Sequence, residues 1–121
     1  MKMDDKRIQL KIDKLNYWDA RVIRLECDYF ADQVTLEYED TGGNVVYIFK
    51  SCFKVIFNHF AGFDKGGPVK KLTREQLPYF LYDVEVGKVK SEGKELYTFK
   101  IEMNPMQIEI WCKDLELQRY I

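Results

Sequence analysis

Ser51 and His59 come nearest, among the residues of this chain, to a nucleophile with its base, and their spacing rules the pairing out. Both lie in one alternating apolar run, where eight residues of extended chain at ~3.3 Å each place them roughly 26 Å apart. A nucleophile and its base must come within about 3 Å. His59 then reads as a polar residue at a strand end. Cys27, Cys52 and Cys112 are far apart and include no Cys-x-x-Cys pair, and His59 is the single histidine, so no zinc-ligand spacing is present. An odd number of cysteines leaves at least one unpaired, as in a reducing compartment, and buried small apolar side chains are the expected role. The stretch from Gly62 to Gly67 lacks the Lys and Ser or Thr that a phosphate-binding loop sets before a helix. Glu37 and Glu39 are spaced as a carboxylate pair, but both project to the expected wet face, where water keeps their acidity ordinary. A non-enzymatic protein with no metal and no cofactor is the expectation.

Charge is distributed unevenly instead. Between Leu25 and Val45 stand Glu26, Asp28, Asp32, Glu37, Glu39 and Asp40, with no Lys or Arg. Between Lys50 and Arg74 the sign reverses: Lys50, Lys54, Lys65, Lys70, Lys71 and Arg74 face Asp64 alone. Such segregation suits a surface complementary to a charged macromolecule, because complementarity speeds encounter and excludes wrong partners. Glu26, Asp28, Glu37, Glu39 and Asp40 are the candidate partner-binding set. Phe60, Phe63, Lys65, Lys70 and Lys71 make a second candidate loop.

A chain of 121 residues, 46% hydrophobic, suits a single domain over 1–121 with a core that needs no disulfide. The net charge of -1 argues against wholesale attraction to nucleic acid or membrane. The N-terminus begins Met-Lys-Met-Asp-Asp-Lys-Arg without an apolar stretch behind it, and nowhere do about 20 apolar residues run together. A cytoplasmic protein with no membrane contact is expected.

The elements that carry these residues are strands. Val45, Tyr47, Phe49, Phe53, Val55 and Phe57 share one parity, broken by Ser51, which predicts a long strand with a bend or bulge near Lys50, Ser51 and Cys52. Before it, Ile23, Leu25, Cys27 and Tyr29 alternate, and a tight connection at Phe30, Ala31 and Asp32 leads to Val34, Leu36 and Tyr38. Asp40 to Asn44 form a glycine-containing turn. Ile8, Leu10 and Ile12 read as a short opening strand. After the loop, Thr73 and Gln76 resemble a capping box opening a brief helix that Pro78 ends. Phe80 to Val86, Tyr97 to Met103 and Met106 to Cys112 form a second meander, with turns at Ser91 to Lys94 and at Asn104–Pro105, and the apolar parity switches to Leu115 and Leu117. The expected fold is mainly β: an antiparallel β sandwich or half-barrel of about seven strands with one short helix. Its core should hold Ile23, Leu25, Val34, Leu36, Phe49, Phe53, Val55, Phe99, Ile101, Ile108 and Ile110, with the hairpin acids exposed.

A resemblance rests on an Asp leading an apolar strand (Trp18, Asp19, Ala20, Arg21, Val22, Ile23), a polar hairpin, a Phe-rich strand with Val55, Ile56 and Phe57, and late strands ending in Ile108, Glu109, Ile110, Trp111, Cys112 and Lys113. In this order, over roughly Trp18 to Lys113, the chain resembles the small immunity proteins encoded beside bacterial polymorphic or contact-dependent toxins, and related proteins of Gram-positive bacteria. Trp18 stands where a His is expected before the Asp. The resemblance implies a protein that binds and blocks a cognate protein toxin, one of basic character if the acidic hairpin is the contact. Two other uses fit the residues: a small-ligand or regulatory β domain lined by Tyr47, Phe49, Tyr97 and Phe99, and nucleic-acid binding through the Lys-rich segment with Phe60 or Phe63 stacking on bases.

Overall fold

A computed structural model describes residues 4–59 and 68–120. Helix α1 (Asp5–Lys14) comes first, followed by strands β1 (Val22–Asp28), β2 (Gln33–Tyr38) and β3 (Asn44–His59). Two 3-10 turns (Val69–Lys71 and Arg74–Gln76) precede β4 (Asp83–Ser91), β5 (Lys94–Met103) and β6 (Met106–Tyr120). The strands are all antiparallel and form one sheet in the order β1-β2-β3-β6-β5-β4. The fold is thus mainly β, as the alternation implies, with the two meanders joined along β3 and β6.

The expected opening strand is a helix. Ile8 and Ile12 are buried while Leu10 is exposed, a spacing of four that belongs to a helical face. Asp5 in the first turn, with Lys11 and Lys14 in the last, complements the helix dipole. Six strands therefore stand among the described residues where about seven were expected. The helix also serves an edge of the sheet. The Gln9 side chain donates to the Val84 carbonyl at 2.8 Å and accepts from the Val86 N–H at 2.7 Å, while the Tyr17 hydroxyl accepts from the Val84 N–H at 3.0 Å. These side chains occupy backbone groups of edge strand β4 that would otherwise invite another strand.

In β3 the expected bulge is present. Ser51 sits at φ 53°, and the register against β6 slips between Cys52 and Lys54, so that Phe53 is the inserted residue. This explains one correction to the expected core: Phe53 is 46% exposed, with Lys94 and Lys113 over its ring at 5.1 and 5.7 Å. Val34, Leu36, Phe49, Phe99, Ile101, Ile108 and Ile110 are buried as expected, whereas Ile23, Leu25 and Val55 are half-buried. Strand β6 runs on through the parity switch at Cys112 to Leu115, its inner residues changing where β3 bulges. The expected strand at Phe80 begins later, at Asp83, because Tyr79 and Leu81 spend their backbone groups on Val22, Asp19 and Ala20. The brief helix at Thr73 is a 3-10 turn in which the Gln76 side chain accepts from the Thr73 N–H at 2.9 Å.

Candidate partner-binding surface

The β1–β2 hairpin positions the acids by its register. Arg24 lies opposite Glu37, Glu26 opposite Thr35 and Asp28 opposite Gln33, so Glu26, Asp28 and Glu37 share one face. Glu39 and Asp40 follow the end of β2. A turn at Gly43, φ 114°, then leads into β3. Gly42 leaves the space through which the Arg119 guanidinium reaches, since a Cβ there would collide with it.

These acids are not equally free. Glu37 is the least exposed of the acids that form ion pairs, held by Arg24 at 3.8 Å and by the Asn44 amide, which donates to it at 3.0 Å. Glu39 meets Arg74 at 2.7 Å and Arg21 at 3.7 Å, and Asp40 meets Arg119 at 2.9 Å. Glu26 has only a loose pairing to Arg24 at 4.0 Å, between two exposed side chains. Among the described residues Asp28 and Asp32 make no ion pair. The acidic segment is therefore balanced by arginines along its base and unbalanced toward the tip. Arg24 stands one residue outside the acid-only window, and Arg21, Arg74 and Arg119 arrive through tertiary folding. Only Arg24 was open to sequence reasoning, by pairing the two strands.

The tip carries what the sequence pattern passed over as a tight connection. Tyr29 is 74% exposed and Phe30 is fully exposed. Of the second candidate loop, Lys70 and Lys71 lie exposed in the turn Val69–Lys71. Phe60, Phe63 and Lys65 lie outside the described residues.

Other chemistry is sparse. The His59 ring is hydrogen-bonded to the Tyr79 hydroxyl at 2.9 Å. Among the described residues no three His, Cys, Asp or Glu side chains come together as metal ligands. Tyr47, Phe49, Tyr97 and Phe99 are all buried and pack on one another, Tyr47 on Phe49 at 6.2 Å and Phe49 on Phe99 at 4.9 Å, while Tyr97 also borders a small pocket of about 20 Å³ with Lys88, Glu95 and Leu96. All four belong to the main core cluster, the aromatics that were expected to line a small-ligand space. A separate apolar cavity of about 250 Å³ lies beside β1, walled by Leu25, Val69, Leu77, Tyr79, Met103 and Met106. No described helix is long and apolar enough to cross a membrane.

A family model, Immunity protein PIM7, matches residues 4–119. The chain belongs to this family. No curated protein matches it. For a PIM7 immunity protein the face of interest is one that meets another protein, and the match spans α1, both meanders and the hairpin.

Proposed function

We propose that this PIM7-family protein neutralises a cognate bacterial toxin by binding it, without catalysing a reaction, and that it does so in the cytoplasm. The β1–β2 hairpin supplies the contact, with Glu26, Asp28, Glu37, Glu39 and Asp40 as its charged part and a basic toxin as its partner. The family match over residues 4–119 carries this reading. The charge on the hairpin supports its second half, since an acidic surface draws a cationic partner and repels anionic ones.

The test is co-expression with the toxin domain encoded beside this gene, followed by titration of that domain with purified protein. Protection that saturates at one equivalent, with a stable complex on size exclusion, is the expected result. Protection at far less than one equivalent would point to an enzyme acting on the toxin and would overturn the binding reading. Cell death with no complex would overturn the immunity reading.

A further inference from the structure

The β1–β2 hairpin ends in a turn of unusual backbone. Tyr29, Phe30 and Ala31 follow one another at φ 53°, 56° and 70°, all in the left-handed region. A side chain with a Cβ is strained there, and a bulky one most of all. The β4–β5 hairpin of the same protein has two left-handed turn residues, Glu92 at φ 51° and Gly93 at φ 77°, and gives one of them to glycine, whereas no glycine relieves the three at the β1–β2 tip. At the β1–β2 tip two aromatic residues hold the equivalent strain and gain no burial in return. Tyr29 is 74% exposed, Phe30 is fully exposed, and neither joins the core. The tip is nevertheless held in place: the Asp32 N–H donates to the Tyr29 carbonyl at 3.1 Å, and the Asp32 carbonyl accepts from the Cys52 N–H at 2.9 Å, beside the β3 bulge. A rigid, exposed aromatic pair has lost its ordering entropy before any partner arrives.

We propose that Tyr29 and Phe30 form the anchor by which this protein enters its toxin, seating in an apolar pocket rimmed by lysine or arginine. The inference rests on the immunity reading and adds the point of contact and its chemistry. Tyrosine and other large aromatics dominate the centres of protein interfaces, with charged groups arranged around them. Asp28 and Asp32 flank the rings and make no ion pair among the described residues, whereas Glu37, Glu39 and Asp40 are matched by arginines. The free negative charge thus surrounds the free apolar surface. This arrangement disfavours a second copy of the chain as occupant, because two tips face to face would bring four carboxylates together without a cation. An anionic membrane is disfavoured for the same reason.

The probe is the toxin domain encoded beside this gene, in catalytically inert form. The variant Tyr29→Gly/Phe30→Gly removes both rings and relieves the backbone strain, so its melting temperature should hold or rise. Its dissociation constant should weaken at least a hundredfold, mainly through faster release. In Asp28→Asn/Asp32→Asn the association rate should fall several-fold at 0.1 M salt and match the wild type at 1 M. Phe30→Ala, which shortens one solvent-exposed ring, guards against a folding defect in the double variant and should itself weaken binding about tenfold or more. Tight binding by the wild type that these ring variants leave unchanged overturns the anchor while the immunity reading stands. Failure of the wild type to bind removes that reading and the anchor with it. Self-association in solution that Phe30→Ala abolishes would assign the tip to a second copy and also overturn the proposal.

Discussion

The rings of Phe49 and Phe99 meet edge to face with centroids 4.9 Å apart, although Phe49 is in register with Leu115 of β6 and Phe99 with Ile110. Five residues of a flat strand would separate those points by about 16 Å. The sheet must therefore curl over between them, at the place where Ser51 takes its left-handed conformation and β3 bulges. This contact closes the half-barrel. Phe49→Ala or Phe99→Ala should cost about 3 to 5 kcal/mol, a large share of the stability of a domain this size. Phe53→Ala, at the exposed inserted position, should cost under about 1 kcal/mol. Chemical denaturation checks all three, and equal losses at Phe53 and Phe99 would contradict the curl.

Gln9 offers a second test, on the edge of the sheet. Its amide satisfies a donor and an acceptor of β4, so Gln9→Leu leaves the Val84 carbonyl and the Val86 N–H open to solvent. The expected loss is about 1 to 3 kcal/mol, with faster hydrogen exchange at Val86 and a rise in aggregation through the uncovered edge. Protection at Val86 equal to that of the wild type would show that Gln9 is dispensable there.

Buried tyrosines set the alkaline limit of the fold. Burial pushes the Tyr38 hydroxyl up to about 12 from an ordinary 10, and burial also pushes the Tyr47 hydroxyl upward. Because the folded state holds these protons more tightly than the unfolded chain, the stabilisation is complete below pH 10 and is lost as pH rises through about 12. Part of the tyrosinate absorbance should therefore appear together with loss of the fold. Among the described residues the Tyr47 hydroxyl makes no hydrogen bond of ordinary geometry and interacts only weakly with the neighbouring Tyr38 hydroxyl, which donates to the Leu15 carbonyl at 3.3 Å. Tyr47→Phe should accordingly change stability at pH 7 by less than about 1 kcal/mol and move alkaline unfolding to higher pH. A marked loss at pH 7 would mean that the hydroxyl is satisfied.

Much of the sheet was legible because alternation with one dry face is a local property. Val34, Leu36 and Tyr38 against Val45, Tyr47 and Phe49 pair as their parity implies. Helix α1 was misread because Ile8, Leu10 and Ile12 satisfy a period of two, while only Ile8 and Ile12 are needed for a helical face, and the choice is made by the tertiary contacts of Gln9. The bulge was legible at Ser51, but the residue it inserts was not, since register is a property of two strands. At the candidate surface the acids were visible in sequence. Their neutralisation was not, because Arg74 and Arg119 approach Glu39 and Asp40 from other elements.

The cysteines give a graded prediction. Cys27 is exposed, which corrects the buried role expected of it, Cys52 is half-buried and Cys112 buried, and Cys52 faces Cys112 directly across β3 and β6. The Cys112 thiol donates to the Asp114 carbonyl at 3.3 Å and is pushed up first by Cys52 beside it and then by burial. A thiol reagent under native conditions should modify Cys27 at once and Cys112 only at the rate of unfolding. Chelators should leave the circular dichroism unchanged. Loss of structure with chelator, or immediate modification of Cys112 together with Cys27, would overturn the buried, metal-free role given to Cys112.

The charged face of the hairpin can be tested separately from its tip. Reversing Glu37 and Glu39 to Lys removes two carboxylates and leaves Arg24, Arg21 and Arg74 facing new cations. These pairs are partly solvent-exposed and worth at most about 1 kcal/mol each, so the melting temperature should fall slightly and the fold should persist. Binding to the toxin should weaken chiefly through slower association, because the charge between Leu25 and Val45 falls from -6 to -2 while the tip rings are untouched. Screening shortens from about 10 Å at 0.1 M salt to about 3 Å at 1 M, so the deficit should shrink across that range. Stopped-flow association at the two ionic strengths decides the matter. An association rate equal to that of the wild type at 0.1 M would exclude this face as the steering surface and leave encounter to the carboxylates at the tip.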